Sequence, residues 1–253
     1  MKVLLAKKFD AAKHNVDGWL ASEKLDGMRA FWDGSELLSR NGKRIAAPDW
    51  FTASLPSDAE LDGELFIGRG QFQKTVSVCR KQVPVDSEWR QVKFMAFDLL
   101  TSGSPTFHQR YELLRRMKLP AHVQVVEHRE TMTADVPALL RQYEAAGAEG
   151  VMLRDPASQY ERKRSNTLLK VTSFLDADAT VIGHQPGTGK HRGRLGALLC
   201  LLDDQTEFGI GTGFTDRQRE NPPAVGERVT FSFFELTDAG VPRFPAFIGV
   251  RGD

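Results

Sequence analysis

The stretch SEKLDGMRAFWDG, residues 22 to 34, sets Lys24 between the acids Glu23 and Asp26 and five residues ahead of Arg29. A lysine attacks through its neutral amine, so a reactive lysine needs burial or nearby cations to release its proton. Anions beside it must be placed to hold a metal rather than to neutralise it. Lys24 ends an alternating run, WLASEK, that reads as a strand with Leu20, Ser22 and Lys24 on one face. The Asp26-Gly27 step reads as a turn that brings Arg29 back beside the amine. A lysine ahead of an Asp-Gly turn also suits an exposed hairpin, so this tetrapeptide leaves both readings open.

Other chemistry-bearing residues narrow the field. Cys79 and Cys200 lie far apart and belong to no CxxC pair, and the six histidines show neither HExxH nor HxH spacing. A disulfide framework and a zinc site are therefore not indicated. The net charge of +1 carries no overall nucleic-acid signal, so local clusters must carry it. There are two, Arg162, Lys163 and Arg164 in one, and GKHRGR with Lys190, Arg192 and Arg194 in the other. The glycine-rich GHQPGTGKHRG fails as a phosphate-cradling P-loop, because His184 stands where the first glycine belongs and His191 where Ser or Thr belongs. It reads instead as a flexible basic loop suited to DNA phosphates.

These residues need elements to hold them. The chain's 253 residues, 41% of them hydrophobic, suit one large domain or two small ones. No run of about 18 apolar residues could span a membrane, and the opening MKVLLAKKFD has too short an apolar run for a secretory signal. A cytoplasmic protein is expected, or a periplasmic one had a leader preceded it. Asp33-Gly34 separates MRAFW from ELLSR as a hairpin turn, Asp62-Gly63 reads as a step into the strand ELFIG, and VKFMAFDLL reads as a central strand. Ser104-Pro105 suits the start of one helix, and Thr133 the start of another that stops at Gly147. After Val171 short strand-like runs alternate with glycine and proline, which suits a small five-stranded barrel carrying one short helix near Asp216 to Glu220. From Phe174 onward there are eight basic and eleven acidic residues, so any DNA-binding surface there must be local.

In order along the chain, SEKLDGMRAFWDG, SRNGK, LDGELFIG, FMAFDLL, EGVMLR and LLKVTSFLDADATVIG resemble the motifs of covalent nucleotidyltransferases, the superfamily of ATP-dependent DNA ligases, RNA ligases and mRNA capping enzymes. The ending PRFPAFIGVRGD is similar to the last ligase motif, and the whole is most similar to the minimal bacterial and viral ATP-dependent DNA ligases. The resemblance implies an α+β fold: a nucleotidyltransferase domain of antiparallel sheets with flanking helices over 1–172, then an OB-fold β-barrel over 173–253.

It also implies roles. Lys24 would take AMP from ATP as a phosphoramidate, with Glu23, Asp26, Arg29, Glu64, Phe97 and Lys170 in the nucleotide site. Arg29 would meet the nucleotide or the nick 5′-phosphate, Glu64 the ribose, Phe97 the adenine ring, and Lys170 the α-phosphate. Glu64 and Glu149 would hold Mg²⁺, or Mn²⁺ in its place. Arg40, with the two basic clusters, would grip nicked duplex DNA. Arg243, Arg251 and Asp253 would serve lysine adenylation, and the protein would act as a monomer. Thr172 departs from the family pattern, which has a second lysine there, and the final motif stops at Asp253. An RNA ligase, a capping-type enzyme or a non-catalytic OB-type binder stay open as alternatives.

Overall fold

Strand-forming runs in the first 172 residues assemble two five-stranded sheets rather than one. The structure, a computed structural model, describes residues 3–251, and the chain divides into two compact units, Met1–Thr172 and Ser173–Asp253.

The first unit runs β1 (Leu5–Lys8), β2 (Trp19–Lys24), β3 (Met28–Trp32), β4 (Leu37–Ser39), α1 (Asp49–Thr52), β5 (Glu60–Phe66), α2 (Phe72–Cys79), α3 (Asp86–Trp89), β6 (Lys93–Leu100), α4 (Phe107–Arg116), β7 (Val123–Val125), β8 (His128–Thr131), α5 (Val136–Ala145), β9 (Gly150–Arg154) and β10 (Arg164–Val171). One sheet has the order β1-β10-β9-β2-β8 and the other β4-β3-β5-β6-β7. Among the described residues of this unit, only β1 with β10 and β6 with β7 pair in parallel. The first sheet buries Ala21, Val151, Leu153 and Leu169 against Val136 and Leu139 of α5. The second packs Leu61, Leu65, Phe94 and Ala96 with Phe51 and Trp89.

Three expectations change here. The Lys24 and Arg29 strands lie in different sheets, so Asp26-Gly27 crosses between sheets and is no hairpin turn. Each strand finds its partner elsewhere: β2 pairs along β9, and β3 along β5. Asp62-Gly63 lies inside β5, where a Cβ at position 63 would stand 2.5 Å from the Phe94 ring and 2.6 Å from the Met95 carbonyl. That glycine serves a close strand approach, not a bend. The helix expected from Ser104 starts at Phe107, because Thr106 makes the capping box with Gln109 while Ser104 adopts φ 52°. Asp33-Gly34 does turn β3 into β4, with Gly34 at φ 95°.

The second unit runs β11 (Leu175–Pro186), β12 (Leu195–Leu201), β13 (Glu207–Ile210), α6 (Asp216–Glu220), β14 (Arg228–Phe233) and β15 (Ala246–Val250). Its one sheet has the order β13-β12-β11-β14-β15 and buries Val181, Leu198, Cys200, Ile210, Val229 and Phe231. The sheet curls until its edges touch: Thr212, just past β13, bridges Ala246, and its carbonyl accepts the Phe247 amide at 2.9 Å. Gly213 permits this, since a Cβ there would lie 2.3 Å from the Phe247 carbonyl oxygen. The curl is that of an OB-like barrel. Among the described residues no helix is long and apolar enough to cross a membrane.

Candidate active site

Lys24 ends β2 opposite Gly150, the residue that follows Glu149, so the antiparallel register carries the amine to the carboxylate. Lys24 Nζ and Glu149 Oε2 form an ion pair, with side chains 19% and 11% exposed. The expectation that nearby anions would leave the amine alone is therefore corrected. Glu64 is drawn in from the other sheet through Gly27, where a Cβ would stand 2.3 Å from the Leu65 carbonyl and 2.8 Å from Glu64 Cγ. Burial pushes the Glu64 carboxyl up to about 8, against the pull of Arg29 and Lys24 and with help from Glu149 and Asp62.

Arg29 lies on β3 and reaches Asp62 on the neighbouring β5, its Nε and Nη2 each donating at 2.7 Å. Burial alone would lower its pKa, but Asp62 overrides that and raises it. Phe97 is half-buried, with the Arg29 guanidinium 4.6 Å from its ring centroid. The pairing of β5 with β6 slips there: Gly63 opposes Ala96 while Asp62 opposes Asp98, so Phe97 is the extra residue of a bulge. A bulge re-aims a side chain, which is why Phe97 escapes the core that takes Phe94 and Ala96. Lys170, half-buried on β10, has its pKa lowered by burial and then by Lys24, Arg164 and Arg40, against Glu149.

Lys24, Arg29, Glu64, Phe97, Glu149 and Lys170 thus form one cluster from two sheets. Glu23, which alternation turns to the other face of β2, accepts a two-pronged pair from Arg69 at 2.9 and 2.7 Å. Asp26 is half-buried in the crossing between sheets, and Arg40 is exposed. Arg162 pairs with Glu60, Lys163 with Glu161, and Arg164 donates to the Ala6 carbonyl, all three being exposed. Exposed Lys7 and Lys8 of β1 join this edge, since β1 lies beside β10.

In the second unit Lys190 and Arg192 are exposed, whereas Arg194 is turned toward α6, 3.3 Å from Asp216 and 3.7 Å from Glu220. Arg243 pairs with Glu235, and Arg251 with Asp178. Asp253 lies outside the described residues.

Asp62, Tyr160 and Arg69 were missed by sequence reasoning. Asp62 had a signal, because it stands two residues before Glu64 and so shares its face. Tyr160 had none, for its partner Asp62 is 98 residues away.

A lysine set among carboxylates and cations, with an aromatic ring against the neighbouring arginine and an OB-like unit in the same chain, is the combination expected of a covalent nucleotidyltransferase. Residues 3–172 match the ATP dependent DNA ligase domain, and residues 186–251 the DNA ligase OB-like domain. The chain belongs to the ATP-dependent DNA ligase family. It is 36% identical over 243 residues to a DNA ligase of Haemophilus influenzae, covering 92% of this chain and 86% of that protein. A DNA ligase of Methanothrix thermoacetophila is 31% identical over 180 residues, but there the chain spans only 32% of the relative. Among solved structures, one from a structure-function study of Lig E DNA ligases superposes with a TM-score of 0.91 at 41% identity, covering 99% of both chains. The Chlorella virus DNA ligase-adenylate gives 0.58 at 28% identity, again covering 99% of both.

Proposed function

We propose that the cluster around Lys24 carries the ligase reaction on nicked duplex DNA, with residues 1–172 as the adenylation domain and 173–253 as the OB domain. The observation that carries this reading is the meeting of Lys24, Glu149, Glu64, Arg29 and Lys170 from two sheets. Lys24 Nζ attacks the α-phosphorus of ATP. The N–P bond forms, the bond to pyrophosphate breaks and the amine loses its proton, leaving a lysyl phosphoramidate of AMP. The AMP then passes to the 5′-phosphate of the nick and leaves when the 3′-OH attacks.

Arg29 and Lys170 offset the charge that builds on the phosphate oxygens, and Phe97 offers its face to the base. Among the described residues no three or more His, Cys, Asp or Glu gather to hold a metal. Mg²⁺ is commonly held by one or two carboxylates together with substrate phosphates, which suits Glu64 and Glu149. When bound, Mg²⁺ would polarise the phosphate oxygens. Arg40, Lys190, Arg192 and the β1–β10 edge are the candidate contacts to DNA phosphates, and binding through them weakens with salt. We infer a monomer, in the cytoplasm, or in the periplasm were a leader to precede it.

Incubation with α-labelled ATP is the test: wild-type protein takes a label that survives denaturation, and Lys24→Ala takes none. An unlabelled wild type sinks the reading. Matched assays on nicked DNA, on nicked RNA and with GTP separate a DNA ligase from its RNA-directed relatives.

A further inference from the structure

We propose that Tyr160 is a positioning residue of this ligase: its hydroxyl, held between Asp62 and the amide of Leu4, fixes the Arg29 guanidinium with one nitrogen left open for a substrate phosphate oxygen. The inference rests on the reading of the Lys24 site given above.

A guanidinium has five N–H donors. Arg29 commits three: Nε and one Nη2 proton to the two oxygens of Asp62, at 2.7 Å each, and the other Nη2 proton to the Leu4 carbonyl at 3.2 Å. Among the described residues no protein acceptor meets Nη1, and the side chain is 20% exposed. Asp62 is 1% exposed, and its Oδ2 also accepts the Tyr160 hydroxyl. The same hydroxyl accepts the Leu4 amide at 3.2 Å. Arg29, Asp62, Tyr160 and Leu4 therefore close a ring of hydrogen bonds in which Leu4 takes part through both its N–H and its C=O.

The ring brings together four separate parts of the chain: the segment before β1, β3, β5 and the loop between β9 and β10. A two-pronged pair fixes the plane of a guanidinium, and Tyr160 and Leu4 fix the carboxylate and carbonyl that hold it. A cation whose role was only structural would have no reason to keep an accessible nitrogen free. Arg219 of the second unit shows the contrast, being 7% exposed with its guanidinium donating to the carbonyls of Leu195, Gly196 and Gly211. Burial, then the neighbouring Asp62, raises the Tyr160 pKa, so the phenol keeps its proton and donates.

Tyr160→Phe removes the O–H and keeps the ring that packs on Arg110. Single-turnover rates are read for two half-reactions: labelling of Lys24 by α-labelled ATP, and sealing of a nicked duplex already carrying the 5′-adenylate. Tyr160→Phe is expected to slow the half-reaction that Arg29→Lys slows most, by about tenfold, on the scale of one hydrogen bond to a charged group. In the Arg29→Lys background it should add less than about twofold, because both changes act through one guanidinium. A thermal melt of each variant confirms folding. Wild-type rates in Tyr160→Phe, or effects that multiply in the double variant, overturn the proposal. A wild type that takes no label overturns the nucleotidyltransferase reading along with it, so the two failures are told apart.

Discussion

Asp62 and Asp98 face each other across β5 and β6, and both are buried, yet they hold different company. Asp98 accepts Arg110 through Nε and Nη2 at 2.7 and 3.0 Å and Arg154 through Nη2 at 3.0 Å. Those arginine side chains are 2% and 5% exposed, and Arg110 Nη1 goes on to the carbonyls of Pro105 and Ser158. Asp62 accepts Arg29, whose side chain is 20% exposed and whose Nη1 stays without a protein partner among the described residues. Identical carboxylates thus do different work. Where every partner is sealed, the cluster ties α4 and the loop after β9 to the sheet; where one donor stays accessible, the cluster can meet a substrate.

Substitutions in either cluster test this difference. Asp98→Ala leaves two buried guanidinium groups without their carboxylate and should destabilise the first unit by about 3–5 kcal/mol, read by thermal or denaturant unfolding. A variant that melts like wild type but has lost sealing would reverse the assignment of the two clusters. Asp62→Asn should do the opposite, slowing nick sealing about a hundredfold by loosening Arg29, while costing only about 1–2 kcal/mol of stability. A large loss of stability with unchanged sealing would make Asp62 a scaffold residue too.

The sealed cluster should also show in the pH dependence. His128, packed on Phe107 and Tyr111 and near Arg154, has its pKa lowered by burial to about 4 from 6.5. Between those values the unfolded chain binds a proton that the fold does not. Its stabilising contribution is therefore complete above pH 6.5 and lost as pH falls through 4. His128→Gln should flatten that fall by about 1–2 kcal/mol relative to wild type, and parallel curves would refute it. On the accessible side, Phe97→Leu should raise KM for ATP about tenfold, the scale of one ring stack, and leave the melting temperature close to wild type. The smallest effect lies outside both clusters: Lys190→Ala with Arg192→Ala should flatten the slope of log affinity against log salt by about two, one per phosphate contact.

The motif residues were legible because each carries its chemistry in type and order. Lys24, Arg29, Glu64, Phe97, Glu149 and Lys170 all reached one cluster, and α6 formed over Asp216 to Glu220 as its spacing indicates. Local signals failed where partners distant in the chain won. Asp62-Gly63 has the composition of a turn, yet it lies in a strand because β3 and β6 flank it on both sides. Arg194 belongs by composition with Lys190 and Arg192, but Asp216 and Glu220 of α6 draw it inward.

By itself, the sequence determined the residue types, their order and the local preferences of each segment. Those were enough to imply the family and to single out Lys24 as the candidate attacking amine. The tertiary structure alone decided which sheet each strand joined, that Glu149 would sit on that amine, and that Tyr160 and Leu4 would close on Arg29. The reason is physical: such contacts join residues up to 156 positions apart in the chain. Their geometry comes from strand register and the burial of shared cores, which no local pattern encodes.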